Sequence, residues 1–210
     1  MFEREYPVRG NRFSRWFARM LLKLFGWRVV NEMFPVPKAV LVGGPHTSNW
    51  DGFVTMTAMF AVGLDARIMV KDSAFVGPLG WLLRWVGCVP INRASAQRVV
   101  EQSVDLYRQH QKLVFIISPE GTRNNADSWK TGFYRIALAA QVPIVAATAD
   151  YRKKEVCFAA LLHPTGNLEQ DLAQLYQIYR PVTARHPQRR SLPLLRTPVE
   201  SDKKPNQGAE

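Results

Sequence analysis

Residues 39–51 read AVLVGGPHTSNWD, from Ala39 through Gly43 and Gly44 to His46 and Asp51, and this stretch decides the fold. Residues 39–44 are a short run rich in Val and Leu, the pattern of a strand buried on both faces. Two glycines and a proline close it, and the mixed apolar run GFVTMTAMFAVGL that follows predicts a helix over about residues 52–62. His46 and Asp51 therefore stand where a strand ends and a helix begins. In largely parallel sheets, sites collect just beyond the carboxyl ends of strands.

Further along, RIMVK (67–71), CVPI (88–91), KLVFIIS (112–118), VPIVAATA (142–149) and VCFAALL (156–162) read as strands. Between them, ASAQRVVEQSVDLYRQHQ (94–111) carries the 3.6-residue period through Val99, Val100, Val104 and Tyr107, and FYRIALAAQ (133–141) is a second helix. LEQDLAQLYQIYRPV is a late helix that Pro181 should end. FVGPLGWLLRW (75–85) is apolar on nearly every face and reads either as a short buried helix or as a loop dipping toward lipid. Short strands alternating with longer helices predict a single α/β domain with a mostly parallel central sheet flanked by helices. HTSNWD follows one strand and SPEGTR another, so two segments distant in sequence can meet at one edge of the sheet.

The chain's 210 residues, 47% of them hydrophobic, suit one domain with a sizeable core. Two cysteines, Cys88 and Cys157, cannot form a disulfide framework, and with no recognisable signal sequence they point to a reducing, cytoplasmic setting. The net charge of +11 attracts nucleic acid, anionic lipid or acidic small molecules alike. Its placement discriminates. Residues 1–30 hold seven basic residues (Arg4, Arg9, Arg12, Arg15, Arg19, Lys23, Arg28) against Glu3 and Glu5, and residues 180–196 hold five arginines and no acid.

In RFSRWFARMLLKLFGW, Phe13, Trp16, Phe17, Met20, Leu21 and Leu24 share one helical face, with Arg12, Arg15, Arg19 and Lys23 on the other. Aromatics with Leu and Met suit the boundary of headgroups and acyl chains, and the cations attract anionic lipid. The alternative is a helix whose apolar face packs on the domain core. No run reaches the 18 apolar residues that a span requires, so the expectation is a peripheral or monotopic protein on the cytoplasmic face of a membrane. Nucleic acid is not expected as a partner, because the helical period of RFSRWFARM fits an interface better than a strand-binding groove. Residues 1–30 thus form a membrane-associating segment, 31–196 the folded domain, and 197–210, almost without apolar side chains, a disordered tail.

Five positions along a helix is a rotation of about 500°, so His46 and Asp51 meet only if the histidine lies in the turn and the aspartate in the first helical turn. An aspartate bonded to one imidazole nitrogen fixes the tautomer and stabilises the imidazolium, leaving the other nitrogen to take a proton. That is a general base. Ser48 leaves open a nucleophilic triad, although no G-x-S-x-G turn is present; otherwise Ser48, Thr47 or Asn49 caps the helix. His110, His163 and His186 read as structural or solvent-facing, and no pair has metal-ligand spacing.

Read together, HTSNWD, GCVPINR (87–93), PEGTRNN (119–125) and VPIVAAT (142–148) resemble, in order and approximate spacing, the four motif blocks of the glycerophospholipid acyltransferase superfamily, whose bacterial members include lysophosphatidate acyltransferase. His46 and Asp51 match the His-x-x-x-x-Asp block, Gly87, Ile91 and Arg93 the second, Glu120, Gly121, Thr122 and Arg123 the third, and Val142, Pro143 and Ile144 the fourth; Lys130 and Gly132 match the Lys-x-Gly that often follows the third. The resemblance implies the acyltransferase fold, with residues 31–196 as the acyltransferase domain. It also implies transfer of a fatty acyl group from acyl-acyl carrier protein or acyl coenzyme A to the hydroxyl of a lysophospholipid, 1-acyl-glycerol-3-phosphate foremost, with no bound cofactor. His46 and Asp51 would be catalytic, and Arg93, Glu120, Gly121, Thr122, Arg123 and Lys130 would bind substrate. Ser118 stands where the third block usually has an aromatic, and the second proline of the fourth block is absent. The alternatives are another acceptor, such as a lyso-ornithine lipid, or a non-catalytic lipid-binding protein.

Overall fold

The computed structural model describes residues 5–92 and 94–195, so Arg93 and the tail expected at 197–210 lie outside the described residues. The elements in chain order are α1 (Arg12–Leu24), β1 (Arg28–Val29), β2 (Lys38–Gly44), α2 (Asn49–Val62), β3 (Ala66–Lys71), α3 (Gly77–Trp85), β4 (Cys88–Ile91), α4 (Ala96–Gln109), β5 (Leu113–Ile117), α5 (Gly132–Ala140), β6 (Ile144–Asp150), β7 (Glu155–Leu162), α6 (Leu168–Tyr179) and the short α7 (Leu192–Leu195). The seven strands form one sheet in the order β1-β7-β6-β2-β5-β3-β4. Its pairings are parallel except for the β6–β7 hairpin.

The run at residues 39–44 is a central strand, with β6 and β5 on either side. Its side chains alternate between two cores: Val40 and Val42 pack with α4, α5 and α6, while Ala39 and Leu41 pack with Met59 and Val62 of α2. Burial of both faces explains why the sequence shows a continuous apolar run there rather than an alternation. α2 packs on one face and α4 and α5 on the other; with the strand order β2-β5-β3-β4, the right-handed crossover rule puts α3 on the α2 side.

α1 packs on the α2 face, but not through its bulky side. Ala18 and Leu22 are buried against α2, and Arg19 Nε donates to the Ala61 carbonyl at 3.0 Å. The small Ala18 lets the two helices approach closely. Phe13 (69% exposed), Trp16, Phe17, Met20 and Leu24 (75% exposed) are turned away from the protein. Core packing of the aromatic face is therefore not the arrangement adopted. Residues 77–85 depart from both sequence expectations: they form a helix, α3, with Gly80 buried and Leu79, Trp81 (67% exposed), Leu82 and Trp85 exposed. Pro78 lies in its first turn, where its missing N–H costs no helical bond. Among the described residues no helix is long and apolar enough to cross a membrane.

Candidate active site

The turn after β2 is shaped by two side chains of its own sequence. Ser48 is extended and its Oγ accepts from the Trp50 amide at 3.1 Å, while Asp51 Oδ2 accepts from the amides of Ser48 (2.8 Å) and Thr47 (2.6 Å). These bonds satisfy amides at a helix start that have no intrahelical partner, so α2 begins at Asn49, three residues before the expected start. Ser48 is thus the cap. Its hydroxyl faces the helix amides rather than acting with His46.

The turn brings His46 Nδ1 to 3.5 Å from Asp51 Oδ2. The other carboxylate oxygen, Oδ1, accepts a 2.5 Å hydrogen bond from the hydroxyl of Tyr151. Asp51 is 3% exposed. Its burial alone would push the carboxyl up, but the bonds from His46, Tyr151 and the Thr47 and Ser48 amides outweigh it and hold the group below the ordinary aspartate range. The carboxylate is therefore charged at neutral pH and able to orient the imidazole, with Nε2 left for a proton from a reacting hydroxyl.

Parallel pairing of β2 with β5 aligns Val42 with Ile117, so the turns after the two strands meet. Glu120, 4% exposed, is the contact: Oε2 accepts the His46 amide at 2.5 Å and Oε1 accepts the Ser191 hydroxyl at 3.2 Å. Ser191 Oγ in turn accepts Trp129 Nε1 at 3.0 Å. Burial pushes the Glu120 carboxyl up, tempered by the His46 amide and Ser191. In this arrangement Glu120 grips the backbone of the His46 turn. Gly121, Thr122, Arg123 and Lys130 lie exposed beside it. Gly121 has φ +63°, a backbone conformation that side-chain-bearing residues rarely adopt, so the position favours glycine; the exposed Lys130 stem that crosses it is flexible enough to turn aside.

Behind the dyad is a cavity of about 180 Å³ lined by His46, Asp51, Met56, Ile68, Ile116 and Val156 among others. Ser118 also borders it, and its buried hydroxyl has no hydrogen-bond partner among the described residues. A larger cavity of about 620 Å³ lies between α1 and β1, beside Leu22, Lys23 and Trp27, and touches none of the residues expected at the site.

The structure thus brings His46, Asp51, Glu120 and the Gly121 turn together at the carboxyl ends of β2 and β5, as the strand reading expected. Two participants were not read from the sequence. Tyr151 follows β6, the other neighbour of β2, and Ser191 lies in the arginine-rich segment, whose charge rather than its hydroxyl stands out. Thr47, a cap candidate in the sequence, instead accepts the His186 amide at 3.2 Å through Oγ1. Only the strand order, which local patterns do not carry, could have pointed to Tyr151.

Residues 27–149, more than half of the chain, match the family described as Acyltransferase. The fold is similar to that of the 1-acyl-sn-glycerophosphate (LPA) acyltransferase PlsC from Thermotoga maritima, with a TM-score of 0.58 and 18% sequence identity over 81% of this chain and 77% of that one. The matched segment contains the His46–Asp51 pair, the Glu120 turn and the strands that position them, and with that correspondence the chain belongs to the acyltransferase family.

Proposed function

We propose that the protein transfers a fatty acyl group from an acyl thioester, carried by coenzyme A or acyl carrier protein, to the hydroxyl of a lysophospholipid, with 1-acyl-glycerol-3-phosphate as the leading acceptor. The observation that carries this reading is the His46–Asp51 pair, 3.5 Å apart, opening on an apolar cavity in a chain of the acyltransferase family. His46 takes the acceptor proton as the hydroxyl oxygen attacks the thioester carbonyl, and Asp51 holds the ring and stabilises the imidazolium. Charge collects on the carbonyl oxygen, where amides of the Gly121–Thr122 turn are the proposed donors. Collapse of the tetrahedral species reforms the carbonyl and breaks the C–S bond. The thiolate, whose conjugate acid has a pKa of about 8–9, departs readily and takes up the proton.

Arg123 and Lys130, with Arg93, are proposed to receive the acceptor phosphate, where a planar guanidinium fork suits its oxygens. Glu120 serves them by holding the turn. The outward aromatics of α1, flanked by Arg12, Arg15 and Lys23, are proposed to rest on an anionic membrane surface on its cytoplasmic face, so that the acceptor need not leave the lipid. Ser118, polar where the family's third block usually carries an aromatic, favours a second reading in which the acceptor is another lysolipid, such as a lyso-ornithine lipid.

The test is release of free thiol from palmitoyl coenzyme A and palmitoyl-acyl carrier protein, each with a panel of lysolipids in vesicles. Acceptor-dependent release that falls by about 10²–10⁴-fold in His46→Ala is the expected result. Release with lyso-ornithine lipid and none with lysophosphatidate selects the second reading. Folded, vesicle-bound wild type that is inert with every pair overturns the proposed reaction.

A further inference from the structure

We propose that Tyr151 is a positioning residue for the catalytic base, acting by a hydrogen bond to the rear oxygen of Asp51. The inference rests on the reading of His46 and Asp51 as that base.

Tyr151 is 100 residues from Asp51 in sequence and lies beyond the segment 27–149 that matches the family. Topology brings them together. β6 runs parallel beside β2, with Gly44 opposite Thr148, so the turns leaving the two strands emerge at the same edge. Asp150 ends β6 and Tyr151 opens the next turn, its amide donating to the Thr183 carbonyl at 2.8 Å. The ring stands edge-on to Trp27 at 4.8 Å, and Lys154 Nζ lies 5.6 Å from its centroid. With ring and backbone both held, the hydroxyl is aimed at Oδ1 of Asp51 at 2.5 Å.

A carboxylate can turn about its Cβ–Cγ bond, and its two oxygens must be occupied for it to hold a single orientation. Oδ2 is shared among the Thr47 and Ser48 amides and, at the longer distance of 3.5 Å, His46. Oδ1 has Tyr151. Without that bond, the carboxylate is fixed on one side only, and the longest contact, the one to His46, is the first to be lost. Tyr151 does not line the cavity, and its hydroxyl proton is directed at Asp51 rather than at the substrate space. Its own ionisation is pushed well up, by burial first and then by the Asp51 charge, so it remains a donor. The bond also contributes to holding the Asp51 carboxyl below its ordinary range, together with His46 and the two amides. Among the described residues, the other charged groups near the pair are Glu120, which repels the Asp51 charge, Arg185, which faces Tyr151, and Lys154 over the Tyr151 ring.

The experiment uses Tyr151→Phe in the full chain, which keeps the ring against Trp27 and removes only the hydroxyl. With palmitoyl coenzyme A and lysophosphatidate in vesicles, kcat should fall about tenfold while both KM values stay within about twofold, the pattern for loss of an interaction to a charged group in the transition state. In an Asp51→Asn background the same substitution should cause no further loss, because Tyr151 acts through Asp51. Independent losses in the two backgrounds, a change confined to KM, or an unchanged kcat overturn the proposal. A second readout needs no turnover: the carboxyl carbon of Asp51, identified by its absence in Asp51→Asn, is titrated by NMR. Its midpoint should move to higher pH in Tyr151→Phe, and a midpoint that stays in place or falls overturns the proposal. If wild type releases no thiol with any acceptor, the reaction reading fails while this titration still decides the role of Tyr151.

Discussion

The two faces of the sheet are built from the same strands yet treat their coverings differently. On one, Val104 and Tyr107 of α4, Phe133 and Ile136 of α5, and Leu175 and Tyr179 of α6 all turn inward and are buried, leaving Leu138, Leu168 and, on α7, Leu195 as scattered exposed apolar residues. On the other, α2 is packed between sheet and α1, but the outer surface carries Phe13, Trp16, Phe17, Met20 and Leu24 from α1, with Trp81, Leu82 and Trp85 exposed on α3. Singly exposed leucines are ordinary, whereas clustered aromatics mark a surface with a partner. An amphipathic period thus establishes that a helix has an apolar face without saying what that face meets. On α4 it meets the sheet, and on α1 the side that meets α2 is served by the buried Ala18 and Leu22, with Arg19 bonded to the Ala61 carbonyl.

The largest effect expected is on the closed face. Phe133→Ala should destabilise the fold by about 3–5 kcal/mol in urea unfolding, through lost transfer energy and the cavity left behind, while Trp81→Ala on the open face should cost little. An equal cost for Trp81→Ala breaks the comparison, since that side chain would then be part of the core. Next in size is vesicle binding. Phe13→Ser with Trp16→Ser should weaken binding to phosphatidylglycerol-containing vesicles by at least about tenfold, as two apolar side chains lose their nonaqueous site, and Leu138→Ser should leave it unchanged. Equal losses on both faces, in a co-sedimentation assay, would show that charge alone drives attachment.

The smallest effect sharpens the comparison at the edge where the loops of both faces meet. Asp51 is held below its ordinary range, so its contribution to stability is complete above about pH 3.9 and is lost as pH falls through its depressed folded value. Glu120 is raised, so its ionisation weighs against the fold above its folded value, and that weight is relieved as pH falls. Asp51→Asn should therefore lose on the order of 1–3 kcal/mol at pH 7, and the gap from wild type should narrow in strong acid. Urea unfolding of both proteins across the acid range checks this, and a gap that widens with acid contradicts the assignment.

Much of the site was legible because its chemistry is local. Ser48 and Asp51 lie three residues apart, the spacing that lets each side chain serve an amide at a helix start, and that same turn presents His46 to Asp51. Residues 75–85 were not legible in this way: apolar on nearly every side, they offer no clear periodicity from which to read a buried or an exposed face, and β4, beside which α3 lies, is the edge strand of the sheet.

By itself, the sequence determined the alternation of strands and helices, the basic amphipathic character of α1, and the turn that pairs His46 with Asp51, since each depends on residues within a few positions of one another. Tertiary structure alone decided that β2 lies between β5 and β6, and so that Glu120 grips the His46 amide and Tyr151 reaches Asp51. It also decided which side of α1 faces outward. Strand order and helix orientation are set by the summed burial of both sheet faces, a property of the whole chain that no local stretch contains.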